Sequence, residues 1–312
     1  MQDQRFQILS LDGGGLKGIF TAAFLANWEK DTKTRITDHF DLITGTSTGG
    51  IIALGLGMGM SAAEILDFYR TKSDSIFPRK MLGNLKHWFL VKHSPEGLDA
   101  ALTEVFGTRI LGQSKRPLII PSYYAKRGEI YLFKTPHHPR LRSDWREKVA
   151  DVGRATAAAP TYLSPHVKES GMELVDGGVW ANNPVMVGIS EALGYFAKPQ
   201  HTIAALRIGT TDEVLSIDAF RSEGGKLAMG AAAVDYMMRG QERSASAMAG
   251  HILGEQRYYQ VNPKAAPGDF GLDKLSTELI AIAEHEYRFH SSNLFERGFL
   301  HHNAAPYTPC YS

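Results

Sequence analysis

The sequence predicts an α/β fold. Short apolar runs of strand length alternate with longer segments of helical periodicity, glycine-rich stretches fall at strand-to-helix junctions, and no repeat or low-complexity linker interrupts the pattern. Phe6–Leu11 reads as a buried strand. A glycine loop follows it, after which Ile19, Phe20, Ala23, Phe24 and Trp28 recur at helical spacing. Residues 40–44 read as a second short strand, and the chain is helical again from Gly50. Residues 117–124 and Glu129–Lys134 are expected to form a hairpin turning at 125–128. Residues 145–159 have a helical pattern that must stop before Pro160. A strand at 172–175 leads into Asp176-Gly177-Gly178. Asn183-Pro184 marks a helix start, a cap followed by proline at the first helical position. Residues 202–208 and Tyr258–Val261 complete the strands, with helices between and after them. No boundary is visible, so residues 1–312 are expected to form a single domain.

Composition narrows the function. Of 312 residues, 43% are hydrophobic and 21% charged, which suffices for a sizeable core without covalent staples. The formal net charge of +1 supplies no long-range field toward a nucleic-acid polymer, so none is expected as a partner. Cys310 is the single cysteine, which rules out a disulfide within one chain and fits a reducing compartment. The N-terminus shows no secretory signal, and the longest apolar run, residues 51–60, is too short and too glycine-rich to span a bilayer. The expected setting is cytoplasmic. A lipid substrate would then be met by transient contact with the inner membrane surface.

Three motifs carry chemistry. Residues 42–50, LITGTSTGG, contain Gly45-x-Ser47-x-Gly49 between a strand and a helix. A nucleophile on such a turn sits in strained backbone, and glycines two residues either side let the turn close. The helix start behind it favours negative charge. Alone, the pattern also fits a plain glycine-serine loop. The second motif is DGGGLKG, residues 12–18, in which the amides of Gly13, Gly14 and Gly15 could converge on one oxyanion. The same letters match the dinucleotide pattern G-x-G-x-x-G. That rival requires an acidic residue about 20 positions on, near the end of the next strand. Glu29 and Asp31 fall too early, within the helix. The P-loop pattern is absent, because Lys17 is followed by Gly18. The third motif, Asp176-Gly177-Gly178, is a common turn by itself. All three are expected at the carboxyl ends of strands, where α/β sheets build their sites.

A serine needs a base. None of the 12 histidines sits in an obvious catalytic setting. His137-His138, His285, His290 and His301-His302 read as surface or satisfied core residues. A Ser–His–Asp triad stays open, since its members meet in space rather than in sequence. The simpler arrangement is a Ser47–Asp176 dyad, with the carboxyl pKa raised by an apolar pocket to which Val175, Val179 and Trp180 contribute.

Together these residues resemble the patatin-like phospholipases, whose pattern is a DGGG-x-[KR]-G loop, a GTSTGG elbow and a DGG or DGA triplet in that order. All three are intact, and GRATAAAPTY at 153–162 is similar to the family's ARATSAAPTY, departing at Gly153 and Ala157. The resemblance covers residues 5–190, and the ending at 295–309 is also family-like. It implies a three-layer fold with a central, mostly parallel sheet flanked by helices. It further implies a lipid acyl hydrolase working without metal or cofactor. By position, Ser47 is the nucleophile, Asp176 the base, and Gly13, Gly14 and Gly15 the oxyanion hole. Lys17 supports that loop, Asp12 ties it down, and Gly45, Gly49, Gly177 and Gly178 shape the turns. The chain is also similar to phospholipase effectors of anti-phage systems, which implies a cyclic-nucleotide activator. A homo-oligomer is compatible with the sequence.

Residues 80–92, with Trp88 and Phe89 between lysines, could lie on a bilayer, although such a pattern more often caps a core. The basic clusters Lys126-Arg127 and 140–148 could receive a phosphate, and read more simply as solvated faces. Two rival classes remain at this level: a Rossmann-type dinucleotide enzyme, and a ligand-sensing protein with a vestigial site.

Overall fold

The computed structural model describes residues 5–76, 94–160, 162–213, 225–266, 269–271 and 275–311. Residues 80–92 and Thr161 lie outside that set. In chain order the strands are β1 (Phe6–Leu11), β2 (Leu42–Gly45), β3 (Leu118–Tyr124), β4 (Glu129–Lys134), β5 (His166–Val167), β6 (Glu173–Asp176), β7 (Ile203–Ile208), β8 (Asp212–Glu213), β9 (Tyr258–Val261) and β10 (Lys264–Ala265). The helices are α1 (Gly18–Thr32), α2 (Ile36–His39), α3 (Thr48–Gly57), α4 (Ala62–Ile76), α5 (Glu96–Phe106), α6 (Val149–Thr156), α7 (Gly178–Ala181), α8 (Val185–Gly194), α9 (Gly225–Leu253) and α10 (Glu278–Glu296).

The central sheet runs β5-β6-β3-β2-β1-β7-β9, with β4 also pairing β3. Its middle, β3-β2-β1-β7-β9, is parallel, whereas β4, β5 and β6 pair antiparallel. The central strands are buried on both faces, which is why they read as unbroken apolar runs. Residue parity sorts their side chains. Phe6, Ile8, Ile119, Ile203 and Ala205 join Val185, Ile189, Ala245 and Ala249 of α8 and α9 in one core. Leu9, Leu11, Leu118, Ile120, Leu206 and Ile208 enter the larger core with α1, α3, α4, α5, α6 and α10. The result is three layers, helices on both faces of the sheet.

One register matters for everything that follows. β4 lines one edge of β3 along 119–124. The other edge is shared: β2 pairs its start, with Thr44 opposite Ile119, and β6 pairs its end, with Asp176 opposite Ser122. β2 runs with β3 and β6 runs against it, so the carboxyl ends of β2 and β6 approach each other head-on.

The helical pattern at 145–159 is broken. Asp144–Arg146 form a 3₁₀ turn, and α6 starts only at Val149. The intervening backbone is taken by tertiary pairing: Leu111 N–H donates to Glu147 O, Val149 N–H to Arg109 O, and Lys148 bridges Ile110. The helix expected to start at Pro184 starts one residue later, at Val185, with Pro184 as its N-cap and Asn183 Oδ1 accepting the Val185 amide at 3.1 Å. At the chain's end, buried His302 Nε2 meets Asp41 Oδ2 at 2.6 Å, fastening the family-like tail to the start of β2. No helix among the described residues is long and apolar enough to cross a membrane.

Candidate active site

The chain leaves β2 at Gly45 and enters α3 at Thr48, with Ser47 on the turn at φ 54°, ψ −122°. A residue with a Cβ rarely adopts this backbone, and it persists only where the surroundings impose it. Here they do. Thr46 N–H donates to Leu11 O at 3.1 Å, and Thr46 Oγ1 to Ala181 O at 2.6 Å. Ser47 N–H donates to Thr156 Oγ1 at 3.0 Å, and that hydroxyl donates to Pro121 O at 2.6 Å. The glycines make the closure possible. A Cβ on Gly45 would fall 2.2 Å from Gly49 O, and one on Gly49 would fall 2.3 Å from Leu11 O. The LITGTSTGG stretch is therefore a rigid elbow.

Asp176 ends β6 and is buried. Burial pushes its carboxyl up to about 6, against opposing pulls from the Gly178 amide and the Ser47 hydroxyl, both of which interact with the carboxylate. Gly178 N–H donates to Oδ1 at 2.7 Å. Gly177 lets the turn pass under β3, where a Cβ would sit 2.4 Å from Pro121 O. Among the described residues no cation offsets the burial. This is a carboxylate held in a low-dielectric site with little compensation, the environment that makes an Asp a better base near neutral pH.

The glycine loop divides its work. Gly13 is buried, and its N–H donates to Asn182 O at 3.0 Å. Gly14 and Gly15 are half-buried, Gly15 has φ +58°, and neither amide meets an acceptor among the described residues. Of the three amides expected at an oxyanion hole, Gly13 is thus committed to holding the loop, and Gly14 and Gly15 remain. Lys17 closes the 3₁₀ turn that follows, with its N–H on Gly14 O at 3.2 Å.

Residues 9–189 match the patatin-like phospholipase family, a span that holds the elbow, the glycine loop and the DGG triplet. The chain belongs to this family. It is 36% identical to a cGAMP-activated phospholipase of Pseudomonas aeruginosa, over 84% of this chain and 79% of that one. It is 34% identical to a cGAMP-activated phospholipase of Vibrio cholerae, over 68% of this chain and 66% of that one. The solved structure of VipD from Legionella pneumophila shares the fold, with a TM-score of 0.52 at 13% identity over 94% of this chain and 67% of that one.

Within this patatin-like frame, Asp12 is 1% exposed and accepts from Arg207 Nε on β7 at 2.8 Å. Burial raises its carboxyl to about 7 against the pull of that guanidinium. Burial also works against the Arg207 charge, but Asp12 and Glu242 outweigh it and raise the guanidinium's pKa. Asp12 is thereby tied to β7 through Arg207. Val179, expected to wall the Asp176 pocket, is 47% exposed, because α7 turns it outward. Trp180 instead reaches back, with Nε1 on Ser122 O at 2.9 Å. His39, His137, His290 and His302 bond to groups elsewhere. Among the described residues, no group of three His, Cys, Asp or Glu gathers that could hold a metal. The sequence did not single out Thr156, Asn182, Arg207 or Glu242. An arginine inside the apolar run IAALRIG was the one visible signal.

Two outcomes follow from this geometry. Gly49→Ala has only backbone to push against, so it should lower stability by about 1–3 kcal/mol or more. A melting temperature equal to wild type would mean the elbow is looser than described. Asp176→Asn removes a buried charge while keeping an acceptor for Gly178. The folded pKa lies above the ordinary value of about 3.9. Stability from this group is thus fully present below about pH 4 and is lost as pH rises through about 6. The variant should melt a few degrees above wild type at pH 8, with the gap closing toward pH 4. A gap that is absent, or widest in acid, would contradict the uncompensated carboxylate.

Proposed function

We propose that the protein hydrolyses fatty-acyl esters of glycerophospholipids through a Ser47–Asp176 dyad, at a membrane surface it contacts peripherally, and that a cyclic dinucleotide switches it on. The observation that carries the chemistry is the strained Ser47 turn facing a buried carboxylate whose pKa is pushed up to about 6. The names of the two bacterial relatives support the activator.

The steps follow from the site. Ser47 Oγ attacks the ester carbonyl carbon as its proton passes to Asp176. The amides of Gly14 and Gly15 hold the oxyanion; each such donor is worth roughly 3–4 kcal/mol. The carbonyl–oxygen bond to glycerol breaks, and Asp176 returns the proton to the departing alkoxide. Water then attacks the acyl-enzyme, Asp176 takes its proton, and Ser47 leaves with it as the fatty acid is released. Gly13 contributes by fixing the loop. The dinucleotide reading has no comparable support, since β2 ends at Gly45 and Thr46-Ser47 follow it without a carboxylate.

Fatty-acid release from phospholipid vesicles, with and without cGAMP, tests this reading. Ser47→Ala should lose roughly 10⁴–10⁶-fold in rate at unchanged melting temperature. Activity retained in that variant sinks the assignment. The rate should also rise with pH to a plateau through an apparent pKa near 6, as Asp176 ionises. A rate that falls across this range would remove Asp176 as the base.

A further inference from the structure

A cavity of about 340 Å³ opens between α9, the end of β7 and the β8–β10 pair, lined by Arg207, Asp212, Arg239, Glu242, Arg243 and Lys264. Its charges are unevenly spent. Arg207 holds Glu242 as well as Asp12. Among the described residues Asp212 faces both Arg239, at 3.7 Å, and Arg243, at 3.4 Å. Lys264 pairs with no acid among the described residues. Arg239 Nη1 is buried without a hydrogen bond, a donor that wants an acceptor. Among the described residues, four cations line the cavity against two carboxylates, Glu242 on Arg207 and Asp212 shared by the other two arginines, a surplus that suits an anion with several acceptor oxygens. The basic clusters noted in the sequence offer less, since Lys126 is already on Glu173 at 2.7 Å.

The same cavity touches the glycine loop by two routes. Beneath it, Arg207 grips Asp12, the residue before Gly13. At its rim, Asn262 donates to Glu242 at 3.3 Å and accepts the Thr211 amide at 3.1 Å. Thr211 sits at φ 135°, a costly backbone for a β-branched residue. Its neighbour Thr210 donates to Gly13 O at 3.1 Å and packs on Gly14, where a Cβ would fall 2.2 Å from its hydroxyl oxygen. Arg207 thus lines the cavity, and Thr211 meets it through Asn262, while Arg207 and Thr210 brace the loop.

We propose that this cavity binds a phosphodiester of the cyclic-dinucleotide activator and, through Arg207 and Thr210, sets the Gly14 and Gly15 amides for catalysis. The proposal rests on the activator reading above. Phospholipid headgroups carry the same phosphodiester chemistry, so the test has two arms. Calorimetric titration of the full chain uses cGAMP in one arm and glycerophosphoglycerol in the other, on wild type, Arg243→Ala and Arg239→Ala/Arg243→Ala. The Arg243 side chain is 72% exposed, so its removal should leave the melting temperature unchanged. Wild type should bind cGAMP, and each variant should bind it at least about tenfold more weakly. The half-activating concentration should rise in proportion. Wild-type affinity in both variants overturns the cavity assignment and leaves the activator reading standing. A wild type that binds no cGAMP overturns both. Binding of glycerophosphoglycerol in place of cGAMP gives the cavity to the substrate's headgroup and overturns the activator site.

Discussion

At Gly49 two backbones meet with no room for a methyl group: its Cβ position lies 2.3 Å from the carbonyl oxygen of Leu11 and 2.7 Å from that of Asp12. Much of the site depends on this contact. Leu11 ends β1, and the glycine loop begins one residue later. Gly49 is in the first turn of α3, two residues past Ser47. A single close approach therefore locks the serine's turn to the loop expected to hold the oxyanion. The strain at Ser47 persists because the Thr46 and Ser47 amides are bound on opposite sides, to β1 and to α6. Such a geometry needs no reorganisation at the moment of reaction, which is where preorganised donors gain their effect.

Two buried aspartates show how environment assigns roles. Asp12 and Asp176 are both almost fully buried, and burial raises both. Asp12 meets a guanidinium that Glu242 also holds, so it is tied in an ion-pair network and serves as an anchor. Asp176 receives one backbone amide and the serine hydroxyl, neither of which carries charge. A proton moving to Asp176 relieves a buried anion. A proton moving to Asp12 would strand Arg207, and an unpaired buried charge is costly. The two carboxylates thus differ through their partners alone, one held by a guanidinium and the other by uncharged donors.

Much of this was legible in the sequence, because the signals were local. Phe6–Leu11, Glu129–Lys134 and Tyr258–Val261 are strands with the bounds that their apolar runs suggest. The elbow was readable because steric need dictates glycines at fixed offsets. What stayed hidden was non-local. Arg207 finds Asp12 across 195 residues, and nothing near either residue announces it. The extended backbone at 147–148 comes from pairing with 109–111, a tertiary demand that overrides helical periodicity. The commitment of Gly13 to Asn182 depends on where α7 ends, so three identical glycines could not be told apart by their letters.

The direction of β6 was equally invisible, and it explains why a serine and an aspartate 129 positions apart can face each other. In a wholly parallel sheet, carboxyl ends lie side by side, about 4.8 Å apart per strand. Here β2 and β6 share one edge of β3 and close on each other from opposite ends, with Thr44 opposite Ile119 and Asp176 opposite Ser122. Those positions on β3 are three residue steps apart, a gap of roughly 10 Å. The elbow turns within that gap. An antiparallel strand therefore brings the carboxylate to the serine within the sheet itself, and it does so on rigid elements rather than on a loop. Placement by sheet register is tighter than loop placement could be, and the Gly178 amide on Asp176 Oδ1 at 2.7 Å fixes the carboxylate within that register.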